Sequence, residues 1–187
     1  MSDEFDFTRH FSAQYTVPEP VASAEAVRDV DRLGMIGAAA LRDKGYYTRI
    51  VVEDRGPARK LLDPKKVRVL IVEDDDGTAG LIEKALHTYG CRTRRARNRL
   101  EIAEGLGAKP FPHLVLLDVM LPDANGFDVL NRIRQHKAFE NLPVLMLTAL
   151  GERKDITRGL LLGASGYITK PVLPSTLLEP VETVIGG

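Results

Sequence analysis

Residues 67–76 read VRVLIVEDDD, a β-rich run that stops abruptly on four carboxylates. A strand buried on both faces of a parallel sheet shows this kind of near-continuous apolar run. The layout recurs. Leu114 to Leu117 leads to Asp118, Val144 to Leu147 leads to Thr148, and Tyr167 to Thr169 leads to Lys170-Pro171. Cys91 to Arg97 is a shorter, polar strand. Between these runs apolar residues recur at helical spacing. Leu81, Ile82, Ala85, Leu86 and Tyr89 predict a helix capped by Thr78 and stopped by Gly90. Leu100 to Leu106 is a short helix, and Phe127, Leu130 and Ile133 mark another after a loop at 121–126. Asp155 to Leu162 is a helix stopped by Gly163, and Leu177, Leu178, Val181 and Ile185 lie on a last helix capped by Ser175. Five strands alternating with five helices predict an α/β fold, a doubly wound parallel sheet covered on both faces. The polar strand belongs at an edge, which fits the order 2-1-3-4-5 with ligands beyond the carboxyl ends of the strands.

Those carboxyl ends carry the chemistry. The first strand delivers Glu73 and Asp74, the third Asp118, the fourth Thr148 and the fifth Lys170. Two carboxylates about 4 Å apart repel by about 4 kcal/mol at an effective dielectric near 20. Such a group must protonate or hold a cation. Oxygen donors beside one amine suit Mg²⁺, which binds through one or two carboxylates and keeps waters for a phosphate. A free carboxylate next to that metal can act as a nucleophile towards phosphorus.

Four stretches carry a resemblance: LIVEDD at 70–75, LVLLDVMLPDANG at 114–126, LMLTA at 145–149 and GYITKP at 166–171. In sequence and spacing, residues 67–187 resemble the receiver (CheY-like) domain of bacterial two-component response regulators. The resemblance implies that Asp118 is the phosphoacceptor and that Asp74 binds the metal directly. It places Glu73 near the metal through water, and the backbone carbonyl of Met120 as a further ligand. Mg²⁺ is the implied ion, with Mn²⁺ as a substitute. Thr148 resembles the switch hydroxyl, the N–H of Ala149 would hold the phosphoryl group, and Lys170 would pair with it. Pro171 matches a cis-proline that aims Lys170, and Tyr167 matches an aromatic that changes rotamer as Thr148 moves. A plain core role for Tyr167 is the duller alternative. The implied partners are a histidine kinase or phosphotransfer protein, a downstream protein and, as one assembly, a homodimer. The chain would be a switch that catalyses only its own phosphorylation. Apolar Met120 and Leu150 would slow hydrolysis of the phosphoryl group.

Composition bounds the rest. The chain has 187 residues, with 26 basic against 26 acidic side chains and a formal net charge of zero. Balanced charge argues against bulk binding to nucleic acid or anionic membrane. No apolar stretch approaches the roughly 20 residues of a membrane span. The acidic N-terminus lacks a secretory layout, and lone Cys91 excludes an internal disulfide, so a reducing cytoplasm is expected. The histidines show no metal-like spacing. Arg92, Arg94, Arg95, Arg97 and Arg99 read as a charged edge that blocks further strand pairing, with docking of an acidic protein or a nucleic acid as the alternative. Asp75 and Asp76 read as merely solvated. Pro180 should delay or kink the last helix and puts dimerisation through that face in doubt.

Residues 1–66 form an N-terminal extension of different texture, preceding a receiver domain at 67–187. Val21 to Lys44 predicts an amphipathic helix with Val27, Val30, Leu33, Ile36, Ala40 and Leu41 on its apolar face, weakened by Gly34 and Gly37. Tyr46 to Val52 is β-rich, and Ala58 to Leu62 could return as a hairpin. The stretch at 41–62 faintly resembles the helix and wing of winged-helix DNA-binding proteins, so a transcriptional regulator is the alternative function. An Mg²⁺-dependent phosphatase of the haloacid dehalogenase type would want a carboxylate where Met120 stands. An FMN-binding flavodoxin-like protein would want a phosphate loop where the four acids stand.

Overall fold

The computed structural model describes residues 24–48, 63–149 and 152–186. The chain begins with helix α1 (Ala24–Lys44) and strand β1 (Tyr46–Thr48). Then β2 (Arg68–Val72), α2 (Asp76–Tyr89), β3 (Arg92–Ala96), α3 (Arg99–Gly107) and β4 (Leu114–Asp118) alternate. The second half is α4 (Gly126–Gln135), β5 (Val144–Thr148), α5 (Arg153–Leu161), β6 (Gly166–Thr169) and α6 (Pro174–Gly186). The sheet order is β1-β6-β5-β4-β2-β3, and the five strands from β2 to β6 are parallel. Those five take the expected doubly wound order.

Strand alternation sorts the core into two layers. Leu70, Val72, Val115, Leu117 and Met146 face Ile102, Leu106, Leu130 and Ile156 on one side. Val69, Ile71, Leu116, Leu145 and Leu147 face Ile82, Leu86, Leu177 and Val181 on the other. Both faces of β2, β4 and β5 are therefore covered, which is why these strands read as unbroken apolar runs. Cys91 is buried, and burial pushes its thiol pKa up.

Several details differ from expectation. Among the described residues the sheet has six strands rather than five. The outer edge of β6 would leave unpaired N–H and C=O groups, and β1 covers it, running antiparallel with Tyr47 opposite Tyr167. The expected strand from Tyr46 is described only through Thr48. The return strand at 58–62, most of the winged-helix likeness and residues 21–23 lie outside the described residues. On α1, Ile36 is exposed rather than buried, and the packed face runs through Val30, Gly34, Gly37, Ala38 and Leu41. The α2 cap is Asp75, whose side chain accepts from the Thr78 N–H, so Asp75 is not merely solvated. Ser175 is no cap either, since α6 already begins at Pro174. Pro180 neither delays nor splits α6; it lies buried inside one continuous helix.

Candidate functional site

The carboxyl ends of β2, β4, β5 and β6 each contribute a piece of a single crevice. Beyond β2 the chain turns so that Glu73 points inward, fully buried, while Asp74 stays exposed. The turn is held on three sides. The Glu73 N–H donates to Ala96 O at 3.0 Å, Asp75 N–H donates to Glu73 Oε1 at 3.2 Å, and Arg95 Nε donates to Glu73 O at 3.0 Å. Asp118 ends β4 and Thr148 ends β5, both buried. Lys170 follows β6, where its N–H donates to Thr148 O at 2.8 Å and its bond to Pro171 is cis.

Lys170 Nζ lies 2.7 Å from Asp118 Oδ2 and 2.7 Å from Glu73 Oε2. The Met120 N–H donates to Asp118 Oδ1 at 3.1 Å, while the Met120 side chain is exposed. Carboxylate oxygens of Glu73, Asp74 and Asp118 all lie within 4.8 Å of one another. One ammonium meets two of these three carboxylates, and the donors are all oxygen. Glu73 Oε2 is buried and meets Lys170 as an ion pair without the alignment of a hydrogen bond. This arrangement fits a hard divalent cation.

Ala149 is exposed just past Thr148. Tyr167 is fully buried, and its hydroxyl donates to Asp155 O at 3.0 Å, under the first turn of α5. Leu150 lies outside the described residues.

Burial is the largest influence on Glu73 and raises its pKa; Lys170 opposes it, and the charge of Asp118 adds to it. Burial works against the Lys170 ammonium, but its bonds to Asp118 and Glu73 outweigh this, so its pKa is raised. A raised carboxyl pKa means that the native state binds a proton the unfolded chain gives up. Stability from this group is present below the ordinary value of 4.5 and lost as pH rises through the native pKa. Lys170 is charged throughout that window. In metal-free buffer, the stability of the wild type against urea should therefore fall as pH rises from 4.5. Glu73→Gln should flatten that slope, and parallel slopes in the two proteins would contradict it.

The model of the response regulator receiver domain family matches residues 69–182, well over half of the chain. The chain belongs to this family. Its receiver domain is 35% identical over 118 residues to the DNA-binding dual master transcriptional regulator RpaA of Synechocystis, covering 63% of this chain and 48% of that one. It is equally 35% identical over 118 residues to the phosphate regulon transcriptional regulatory protein PhoB of Escherichia coli, covering 63% of this chain and 51% of PhoB. The chain thus spans about half the length of these curated relatives. Among solved structures, the non-phosphorylated HemR receiver domain of Leptospira biflexa superposes with a TM-score of 0.59 at 37% identity, covering 65% of this chain and 96% of that one. Chemotaxis protein CheY4 of Vibrio cholerae gives 0.59 at 27% identity, with coverage of 63% and 98%. Because relatives include named DNA-binding and transcriptional regulators, the expectation against nucleic acid finds no support in them. Among the described residues, no helix is long and apolar enough to cross a membrane.

Two residues that shape the receiver site were not singled out from sequence. Arg95 stands in the basic run of the edge strand, yet its guanidinium folds under the acidic loop. It donates to Glu73 O, to Asp74 O at 2.8 Å and to the Asp76 carboxylate. Arg94 likewise turns to Gly105 O at 2.9 Å, so the basic run is partly spent on backbone carbonyls. Asp76 is paired with Arg95 and Arg97 rather than merely solvated.

Gly126 is the second. A Cβ there would stand 2.2 Å from Asp118 O and 2.8 Å from Val119 Cα, both backbone atoms that cannot swing aside. Its place in Asp-Ala-Asn-Gly was visible as a loop signal, but its closeness to the phosphoacceptor candidate was not. Gly126→Ala should cost about 1–3 kcal/mol by overpacking and displace Asp118. Thermal unfolding with and without Mg²⁺ checks this, and an unchanged melting temperature would refute it.

Proposed function

We propose that the chain is a phosphorylation switch in which Asp118 accepts a phosphoryl group from a histidine kinase or phosphotransfer protein. The observation that carries this reading is Lys170 Nζ, held 2.7 Å from both Asp118 and Glu73 inside the three-carboxylate crevice. An ammonium fixed there can pair with the incoming phosphoryl oxygens, and a buried pair is stronger than one in water. In the transfer, an Asp118 oxygen forms the new bond to phosphorus as the phosphorus–nitrogen bond of a phosphohistidine breaks. The imidazole nitrogen keeps that electron pair. The receiver unit is assigned to residues 67–187 and the extension to 1–66.

Glu73, Asp74, Asp118 and the Met120 carbonyl would hold Mg²⁺, or Mn²⁺ by the same donor chemistry. When bound, the ion supplies positive charge opposite the phosphoryl oxygens. The N–H of Ala149 and the hydroxyl of Thr148 would bond those oxygens once they arrive. Phosphorylation adds about two negative charges, which draw Thr148 and Lys170 inward. Pro171 sets where Lys170 leaves β6. Tyr167, packed between β6 and α5, would pass the movement outward to a downstream protein partner. Chemical turnover of metabolites is not part of this reading.

The test is incubation of the full chain with acetyl phosphate and Mg²⁺, read by intact mass. One phosphoryl group should be gained, and gain should cease when the metal is chelated. Size-exclusion chromatography on the same samples reports any homodimer. No mass gain under any divalent ion would overturn the reading.

A further inference from the structure

Residues 24–48 do not hang beside the receiver fold; they close over the three elements that follow Thr148. Strand β1 pairs with β6, and the Thr169 N–H and Oγ1 both donate to Gly45 O, at 2.8 and 3.0 Å. Gly45 has a φ of 78°, and a Cβ there would stand 2.9 Å from Thr176 of α6. Helix α1 lies along α5. A Cβ on Gly34 would stand 2.1 Å from Thr157 Oγ1, and one on Gly37 would stand 3.0 Å from Ile156. Asp31 forms a two-pronged ion pair with Arg153 at the start of α5, one prong being Nε to Oδ1 at 2.9 Å.

The switch aromatic lies inside this contact. Tyr167 is opposite Tyr47 in the sheet register, and its hydroxyl is bonded to Asp155 O of α5. It shares one core with Val30, Ala38 and Leu41 of α1, and Tyr47 packs against that core. The extension therefore touches α5, β6 and α6 through a surface shaped by missing side chains. Such close packing admits little sliding: a shift of α5 has to be followed by α1 or the contact opens. The exposed Asp31–Arg153 pair adds orientation more than energy.

We propose that residues 24–48 are an intramolecular clasp on the α5–β6–α6 face, opened when Asp118 is phosphorylated. This rests on the phosphoryl-acceptor reading above. The added charge acts on Thr148 and on Lys170, whose N–H is bonded to Thr148 O. Those two residues sit just before α5 and just after β6, the elements the clasp grips. Opening uncovers the backbone edge of β6 and the faces of α5 and α6. The coupling is reciprocal: whatever loosens the clasp must favour the phosphorylated conformation to the same degree.

Hydrogen exchange on the full chain, with Mg²⁺ and with or without acetyl phosphate, tests this directly. Peptides from 24–48 and 166–169 should exchange about tenfold faster once the phosphoryl mass is present, a change within the ordinary range of allosteric coupling. Peptides from β2 and β4 should not change. Phosphoryl gain with unchanged exchange at 24–48 overturns the clasp and leaves the Asp118 reading standing. Absence of phosphoryl gain overturns both, because the clasp then has no trigger. A second arm uses Gly34→Leu, which wedges α1 away from Thr157. The phosphoryl mimic beryllofluoride, with Mg²⁺, should bind this variant at least about fivefold tighter than wild type by calorimetry. Equal affinity would overturn the coupling. Should the variant not fold, the wild-type exchange comparison alone decides.

Discussion

Replacing Asp118 with alanine is expected to abolish phosphoryl gain from acetyl phosphate, to the background of the assay. Asp118 is the carboxylate that Lys170 and the Met120 N–H both hold, one on each oxygen. Glu73 is buried beneath the crevice, and Asp74 is exposed at its rim. Glu73 shares the pattern, with Lys170 on Oε2 and the Asp75 N–H on Oε1, but it has no exposed surface where Asp118 keeps 4%. The same variant should lose the thermal stabilisation that Mg²⁺ confers on the wild type. A ligand at a hundred times its dissociation constant stabilises by about 2.7 kcal/mol, so the difference is easily measured. Metal-free stability should change far less, because Lys170 still neutralises Glu73 and a like charge has been removed beside it. Persistent phosphoryl gain in Asp118→Ala would move the acceptor to Asp74, the nearest exposed carboxylate.

The parts of this molecule that sequence exposes are those whose burial is two-sided or whose position is set by strand length. Strands β2, β4 and β5 are apolar up to their ends because helices cover both faces, and the crevice takes the residue after β2 and the last residues of β4 and β5. Glu73, Asp118, Thr148 and Lys170 are therefore legible as a set in the sequence alone. The resemblance to receiver domains added roles that composition could not supply. What was not legible depends on long-range pairing. Tyr46 to Thr48 looked β-rich, but nothing local says that its partner is the edge of β6, more than a hundred residues later. Gly34 and Gly37 looked like weak points of a helix; only the contact with Thr157 and Ile156 explains the lack of side chains. Arg95 looked like surface charge, because a guanidinium on an edge strand can turn outward to water or inward to carbonyls, and the choice is made by the neighbouring loop.

Lys170→Met should be the most destabilising single change at the crevice and should also cut the rate of phosphoryl gain by about a hundredfold, the scale of losing one preorganised donor. Methionine fills much of the same space, so the effect isolates the charge. Without the ammonium, Glu73 keeps a fully buried carboxylate with Asp118 close by and no cation between them. Removing one partner of a buried pair costs about 3–5 kcal/mol. Because the Lys170 side chain is 22% exposed, the low end, about 3 kcal/mol, is expected. The sign with pH follows from the surviving group. Protonating Glu73 removes the unpaired charge, so the variant should regain stability as pH falls towards 4.5 while its deficit grows at neutral pH. Adding Glu73→Gln to Lys170→Met should restore most of the lost stability, since the stranded charge is gone. Urea denaturation of the two single variants, the double variant and the wild type in chelator closes this cycle. Independent, additive losses would mean that Lys170 and Glu73 do not share a charge pair. The phosphoryl oxygens would then have to find their counter-charge elsewhere.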